Sequence, residues 1–337
     1  MKFFGTNRAP GPVIADTSAT KQNDWAPVGL RHGAVIRWNG TTSTGITGIV
    51  LSAGQQVTIV NASTDYLLWL ENENTASAAA NRLMLPDGFP AFLMPGDCIT
   101  LWKDGTTNRV RVISWPTRGK AMGLTAYEDF VSGASGSFGL NTNSGTASVG
   151  YTGSAATPGL AGVSTSTSAS SRPTIGGQVA IAKGGGPLLT VARVKCTTAL
   201  PDGTETFTGI SGFSDVGSTA HQNAMSWGLR WNGSAAEWAQ ECIAAGVATR
   251  SVTGSPAAVN NTMIWLGVFV NAAGTRVDFF YSTDGIAFTL ANSASSGLPT
   301  SALAPVAVAA YKTAGTTARV MNVDVAGYRV GYTTARA

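Results

Sequence analysis

The feature that most restricts the fold of this chain is a series of short apolar segments separated by turn residues, with no helical repeat between them. In the second half these segments are residues 188–196, 206–213, 225–231, 236–242, 263–270, 275–281, 306–311 and 320–332. Segments of this length, bounded by Gly, Pro, Asn and Asp, are typical of the strands of a β-sandwich. The sequence therefore predicts an all-β fold.

Composition supports the same prediction. The 337 residues include 41 glycines, and Gly, Ser and Thr disfavour long helices. Hydrophobic residues make up 44% of the chain, which argues against disorder. Charged residues make up only 12%, about half the usual share. Because interface cores are depleted in charge, we expect a chain that loses surface to assembly and is soluble mainly as an oligomer.

The first half predicts a smaller β-barrel or β-sandwich between residues 31 and 115. Residues 34–38 form a strand pattern, and Asn39-Gly40 after it predicts a hairpin corner. Residues 66–70 are apolar throughout, as expected of a strand buried on both faces. Asp104-Gly105 predicts a further turn.

Composition shifts along the chain predict four parts: an extended arm (1–30), a β-domain for trimerisation and docking (31–115), a linker (116–124) and a sandwich domain (125–337). The arm is polar and irregular, so we expect it to be flexible or to become ordered on another subunit. Trp25 stands out in it as an apolar anchor, and Trp25, Pro27 and Arg31 are the candidate attachment residues. Residues 132–187, rich in small residues, predict short strands, with a mobile linker as the alternative.

The sequence contains few groups that could perform catalysis. Only two histidines occur, and His221 lies near Asp215 without a nucleophile motif beside it. The carboxylate pairs Glu71/Glu73, Glu128/Asp129 and Glu237/Glu241 could each serve a glycosidase, although sequence cannot place them about a cleft. We expect Glu71 and Glu73 to lie on a solvated strand edge. The sequence therefore predicts a protein that is not an enzyme.

Cofactor and metal motifs are also missing from the sequence. No phosphate-binding loop or calcium loop is present. Cys98, Cys196 and Cys242 are far apart and lack zinc-ligand spacing. We expect no cofactor and no metal, and buried, reduced cysteines of a chain folded in a cytoplasm.

Two features favour contact with a glycan. Trp227, Trp231 and Trp238 lie close together in sequence, and the first two share one strand face, so they could stack on sugar rings or belong to the core. Residues 281–288 resemble the Asp-box turn of sugar-active propellers, although a single copy is also a good hairpin.

Charge and hydropathy exclude two kinds of partner. The net charge is +4 without any dense basic cluster, so we expect no nucleic-acid binding. No segment approaches the length of a membrane span, and the first residues lack the apolar stretch of a signal peptide. We therefore expect no membrane insertion.

Several short motifs resemble known bacteriophage modules. Residues 46–49, 56–61, 81–83, 93–96 and 99–104 resemble a β-domain of tailed-phage fibre and virion-surface proteins, with residues 102–104 and Arg109-Val110 standing in for the Tyr-Asp and later Arg-Trp of that family. Residues 127–130, 268–277 and 312–319, which lead into 323–325, resemble a concanavalin-like jelly roll found at the ends of such proteins.

This resemblance implies a structural virion protein, assembled in the host cytoplasm as a homotrimer. Its N-terminal part would dock on phage capsid or tail proteins, and its jelly roll would face outward. A capsid decoration protein or head fibre is the leading hypothesis. The alternatives are a short tail fibre or a receptor- or glycan-binding tail protein that contacts a host-surface glycan, and third a polysaccharide depolymerase.

Overall fold

The computed structural model describes residues 11–115, 126–128, 139–142, 148–151, 159–167, 172–176, 181–215 and 222–331. Their regular structure consists of β-strands, apart from two single-turn 3-10 helices, so the predicted all-β class is confirmed. The chain divides into two compact units, Met1–Thr117 and Arg118–Ala337. The predicted linker, residues 116–124, lies outside the described residues.

Within residues 11–115 the first unit has nine strands and the two 3-10 turns Ala79–Asn81 and Pro86–Gly88. The strands are β1 (Val13–Asp16), β2 (Ala34–Trp38), β3 (Thr44–Ile46), β4 (Gln56–Asn61), β5 (Leu68–Leu70), β6 (Leu83–Met84), β7 (Ala91–Leu93), β8 (Cys98–Asp104) and β9 (Arg109–Ser114). They form a six-stranded sheet in the order β1-β2-β4-β8-β9-β6 and a three-stranded sheet in the order β3-β5-β7.

The first part of this unit is a short parallel coil. Strand β1 pairs in parallel with β2, and β2 pairs in parallel with β4. On the other side of the coil, Gln22 bridges Ile46, and β3 pairs in parallel with β5. Each circuit of the chain therefore returns to the register of the previous circuit, as in a β-solenoid.

A stack of isoleucines fills the coil. Ile14, Ile36 and Ile59 are register partners on β1, β2 and β4, and Ile59 faces Ile99 on the antiparallel strand β8. The last three are fully buried, whereas Ile14, at the end of the stack, is half-buried. The period-two pattern of each strand places these side chains on one face.

The predicted hairpin at Asn39-Gly40 is wrong, because both neighbours of β2 run parallel to it. Gly40 instead makes a corner of the coil against the indole of Trp38, where an added Cβ would lie 2.3 Å from the ring. Glycine is needed here for close packing. By contrast, Asp104-Gly105 does join the antiparallel strands β8 and β9. Of the predicted buried strand 66–70, residues 68–70 form β5 and are fully buried, whereas Tyr66 is half-buried before the strand begins.

The prediction of a separate arm is also corrected for the residues described. Residues 11–30 pack against the rest of the first unit. Strand β1 extends the six-stranded sheet, and the Trp25 side chain, which is 3% exposed, belongs to the buried core. Burying one indole contributes on the order of 2 kcal/mol, so a polar segment that carries one can still pack. Residues 1–10 lie outside the described residues.

The described parts of the second unit contain fifteen strands. They are β10 (Ala126–Glu128), β11 (Gly139–Thr142), β12 (Ser148–Tyr151), β13 (Ala161–Ser164), β14 (Pro173–Gly176), β15 (Leu188–Cys196), β16 (Thr206–Ser214), β17 (Ala224–Trp231), β18 (Ala236–Ala244), β19 (Val247–Ser251), β20 (Ile264–Val270), β21 (Val277–Ser282), β22 (Thr289–Ala294), β23 (Ala304–Ala314) and β24 (Val320–Val330). Each apolar segment predicted in the second half forms one of these strands.

The second unit is a sandwich of two antiparallel sheets. One sheet has the order β12-β13-β24-β15-β20-β21-β22 with β10 beside β24, and the other has the order β11-β14-β23-β16-β17-β18-β19. Side chains from both sheets meet in one large core cluster, and a smaller buried cluster lies on the second sheet. Trp227 connects the sheets, because its indole N–H donates to the carbonyl of Gly267 at 3.0 Å and its ring meets Phe279 edge-on.

Candidate functional site

Of the three residues predicted to attach the chain to a particle, only Arg31 is on the surface. Trp25 is buried, its indole N–H donates to the Asp16 carboxylate at 3.3 Å, and its backbone bridges Ile49. Pro27 is buried as well. In this structure Trp25 and Pro27 therefore belong to the interior of the first unit, whereas Arg31 is exposed; attachment through these residues stays a prediction.

Arg31 lies in an open cleft of about 570 Å³ in the first unit. The lining residues are Leu30, Arg31, His32, Ser52, Ala53, Gly54 and Gln55. They come from the two loops that lead into β2 and β4, which the parallel coil places side by side. The Gln55 side chain accepts the Ser52 N–H at 2.9 Å, so one wall is held by an internal bond. A cleft with an exposed guanidinium suits a carboxylate or a backbone carbonyl of a docking partner.

The tryptophans predicted to touch a glycan lie mainly in the core. Trp227 and Trp238 are buried, and Trp231 is half-buried beside Gly203. Trp227 and Trp231 do share a strand face, but it is the inner face of the sandwich. Of the two alternatives, the structure places Trp227 and Trp238 in the core, and sequence alternation could not decide this because it shows which residues share a face and not which face meets solvent.

The opposite face of the same strands carries a row of ion pairs. Glu237 accepts from Arg230 Nη2 at 2.7 Å, and Glu241 accepts from Arg250 Nε at 2.7 Å. Glu241 is fully buried and lies over Gly228, where an added Cβ would be 2.6 Å from its carboxylate. Both members of the candidate pair Glu237/Glu241 are thus held by arginines.

The other candidate carboxylates in the first unit are also ion-paired. Glu71 is fully buried, so its predicted solvated position is wrong; it accepts from Lys21 Nζ at 2.6 Å and from the Trp69 indole at 2.9 Å. Glu73 pairs with Arg109 Nε at 2.9 Å. These contacts join residues that are distant in the sequence and stabilise the unit.

Two further candidates fall outside what can be described. His221 and Asp129 are not among the described residues, and the side chain of Glu128 is not described. Among the side chains that are described, no three metal-ligating groups lie close enough together to hold an ion. The described helices are single 3-10 turns, too short to cross a membrane.

The turn at residues 281–288 anchors an aromatic side chain. Asp284 Oδ1 accepts the N–H groups of Ile286 at 2.8 Å and Ala287 at 2.9 Å. This arrangement directs Phe288, which is fully buried, onto the rings of Trp265 and Phe280. The turn therefore connects β21 to β22 and holds Phe288 against other aromatic residues of the same sheet.

The cysteines differ in exposure, and this predicts their reactivity. All three are free, Cys196 and Cys242 are buried, and Cys98 is half-buried. Burial raises the pKa of Cys196 to about 11 and that of Cys242 to about 12, so almost no thiolate forms at either near pH 8.

A brief iodoacetamide pulse followed by peptide mass spectrometry is expected to modify Cys98 first. Equal rates for the three thiols in the native protein would contradict this, and equal rates in urea are the control.

Comparison with known proteins gives no family for this chain. No protein-family model and no curated protein matches it. Among solved structures, a protein of unknown function from Shewanella oneidensis MR-1 is 17% identical over 63% of this chain and 88% of its own, with a TM-score of 0.48.

Two other similar structures are lectin-type folds. Peanut lectin with a nine-residue peptide is 10% identical over 62% of this chain and 99% of its own, with a TM-score of 0.42. The carbohydrate recognition domain of Emp47p is 7% identical over 60% of this chain and 94% of its own, also with a TM-score of 0.42. Because all three scores lie below 0.5, the assignment of a sandwich rests on the strand order described above.

Proposed function

We propose that this chain is a non-catalytic structural protein displayed on the surface of a bacteriophage particle, as a capsid decoration protein or head fibre. The proposal is carried by one observation in the first unit. Two of the segments that resemble the phage β-domain, residues 56–61 and 93–96, are distant in sequence and meet at Asn61.

Asn61 is fully buried at the end of β4. Its side-chain amide donates to the carbonyls of Tyr66 at 2.9 Å and Leu93 at 2.8 Å. Its backbone carbonyl accepts the Gly96 N–H at 2.8 Å, and its own N–H donates to Asp97 at 2.8 Å. Residues 56–61 and 93–96 are therefore parts of one interlocked structure, which supports reading them as a single family motif.

The segments of the second unit that resemble the jelly roll are also held by hydrogen bonds within each segment. Asn271 Oδ1 accepts the N–H groups of Thr275 at 2.9 Å and Arg276 at 3.0 Å, which closes the turn between β20 and β21. Lys312 Nζ donates to the Thr317 carbonyl at 2.9 Å, within the segment 312–319. These contacts support the concanavalin-like jelly roll as the finer description of the sandwich.

A structural role is also supported by the ion pairs. Glu71, Glu73, Glu237 and Glu241 each form an ion pair with a lysine or an arginine of their own unit, as carboxylates that stabilise a fold do.

The test is the presence and number of copies of the protein in purified particles. Quantitative mass spectrometry of gradient-purified particles, with immunogold labelling, is expected to find many copies on the head. A few copies at the tail would favour the tail-fibre alternative, and absence from particles would overturn the proposal. Light scattering on the full chain measures whether the implied trimer forms.

Attachment gives a sharper experiment on the same proposal. We expect Arg31→Glu to reduce binding of the purified protein to particles that lack it, because the change reverses the charge of the cleft. Arg37→Glu is the matched control, since Arg37 is an exposed arginine of β2 outside the cleft. Equal loss in both variants would indicate non-specific charge and would contradict docking at the cleft.

A further inference from the structure

We propose that the open edge of β1 pairs with β1 of a second copy, antiparallel, about a two-fold axis at Ile14. Two copies would pair in this way whether or not the protein belongs to a virus particle. The occupant of the edge is thus an identical strand.

Among the described residues, only one side of the backbone of β1 pairs with another strand. The Val35 N–H donates to the Pro12 carbonyl at 2.9 Å, and the Asn39 N–H donates to the Asp16 carbonyl at 2.7 Å. Because strand residues alternate in direction, the N–H and carbonyl groups of Val13 and Ala15 point away from β2. No described strand lies on that side of β1.

The side chains at this end of the coil are apolar and accessible. Val13 is 66% exposed, and Ala15 is exposed as well. Ile14 is half-buried because the isoleucine stack stops at it. Solenoids normally end in a polar cap, so an apolar end indicates a partner.

Charged residues that would protect such an edge are engaged elsewhere. Asp16 accepts the N–H of the serine two residues further on at 2.9 Å. Lys21 pairs with Glu71 at 2.6 Å, and Asp24 accepts from the Asn81 side chain at 2.8 Å. Edge strands usually carry outward charges that prevent pairing, and here the charges of the first coil bind within their own unit.

An identical strand fits this edge because the edge is self-complementary. In an antiparallel pair centred on Ile14, Val13 of one copy faces Ala15 of the other, and each such pair exchanges both of its backbone hydrogen bonds. The two Ile14 residues then form the close pair between them, with Cα atoms about 4.5 Å apart. An isologous contact of this kind closes on itself and joins copies two at a time.

The contact is small, and this determines how it should be measured. A four-residue strand pair buries less than the roughly 1,200 Å² of a stable interface, so by itself it forms transiently. Disulfide trapping detects such a contact, because Cα atoms about 4.5 Å apart lie within the range for a disulfide.

The experiment uses the full chain carrying Cys98→Ser, so that no half-exposed native thiol competes. Under mild oxidation, Ile14→Cys is expected to form a covalent dimer at least about tenfold faster than Thr17→Cys, a cysteine at an exposed position just past β1. The rates are read from non-reducing gels. Equal rates for the two variants would overturn the proposal.

A second variant tests the backbone pairing itself. Adding Ala15→Pro to the Ile14→Cys chain removes an N–H that points away from β2 and is expected to abolish rapid cross-linking. Ala15→Ser keeps that N–H and is the matched control, with circular dichroism to verify folding. Cross-linking that persists in the folded proline variant would show that a different occupant covers the edge, and would also overturn the proposal.

Discussion

Replacement of Asn61 by alanine is expected to destabilise the first unit by about 3 kcal/mol. The buried amide donates to the carbonyls of Tyr66 and Leu93, and alanine would leave both without a donor. Each unsatisfied buried group costs roughly 1–3 kcal/mol. Because the same residue holds the loop at Gly96 through its backbone, local unfolding is expected to spread into that loop.

The measurement is urea unfolding of the full chain followed by hydrogen exchange and peptide mass spectrometry. Peptides from residues 34–110 are expected to lose protection at lower urea, and peptides from residues 188–330 to remain unchanged. Asn39→Ala is the matched control, because Asn39 is exposed. An unchanged midpoint for Asn61→Ala would contradict the central role given to this amide.

Replacement of Arg319 by methionine is expected to have a similar or larger effect on the second unit. Arg319 is fully buried and makes a bidentate pair with Glu205, at 2.7 and 3.0 Å, and a bond to the Leu200 carbonyl at 2.8 Å. Methionine would leave the buried Glu205 carboxylate without its partner. Breaking one side of a buried ion pair costs about 3–5 kcal/mol.

Two companion variants separate this effect from a general loss of charge. Arg193→Met removes an arginine that is 41% exposed and paired with Asp324, and is expected to cost at most about 1 kcal/mol. The double variant Arg319→Met, Glu205→Leu replaces both buried charges and is expected to recover much of the lost stability. Equal midpoints for Arg319→Met and Arg193→Met would contradict a buried network.

Much of the second unit could be predicted from the sequence, because strand formation depends on local patterns. Residues 188–196 and 206–213 are apolar segments that lie between turns containing Gly, Pro or Asp. They form β15 and β16 nearly residue for residue. The edge strands β19 and β22 were not predicted, because strands exposed along one side need fewer apolar residues. The sequence does not indicate the ion pairs of Glu241 for another reason: its partners Arg230 and Arg250 come from the two neighbouring strands, β17 and β19.

The first unit shows what local patterns leave open. Asn39-Gly40 is a good hairpin sequence, yet the chain continues around a coil and places β2 between two parallel neighbours. Turn chemistry constrains a few dihedral angles, whereas the partner of a strand depends on which distant segments bury the most apolar surface together.

Sequence alone determined that this chain is all-β, that its strands are short, and that it carries few catalytic groups, because composition, period and turn chemistry act over a few residues. Tertiary structure decided which face of each strand meets solvent, which carboxylates become buried with arginine or lysine, and that residues 11–30 complete a core. Those outcomes depend on contacts between residues far apart in the chain, such as Trp25 with Ile49 and Arg319 with Glu205. Their energies come from burial and pairing in three dimensions, which a linear pattern does not contain.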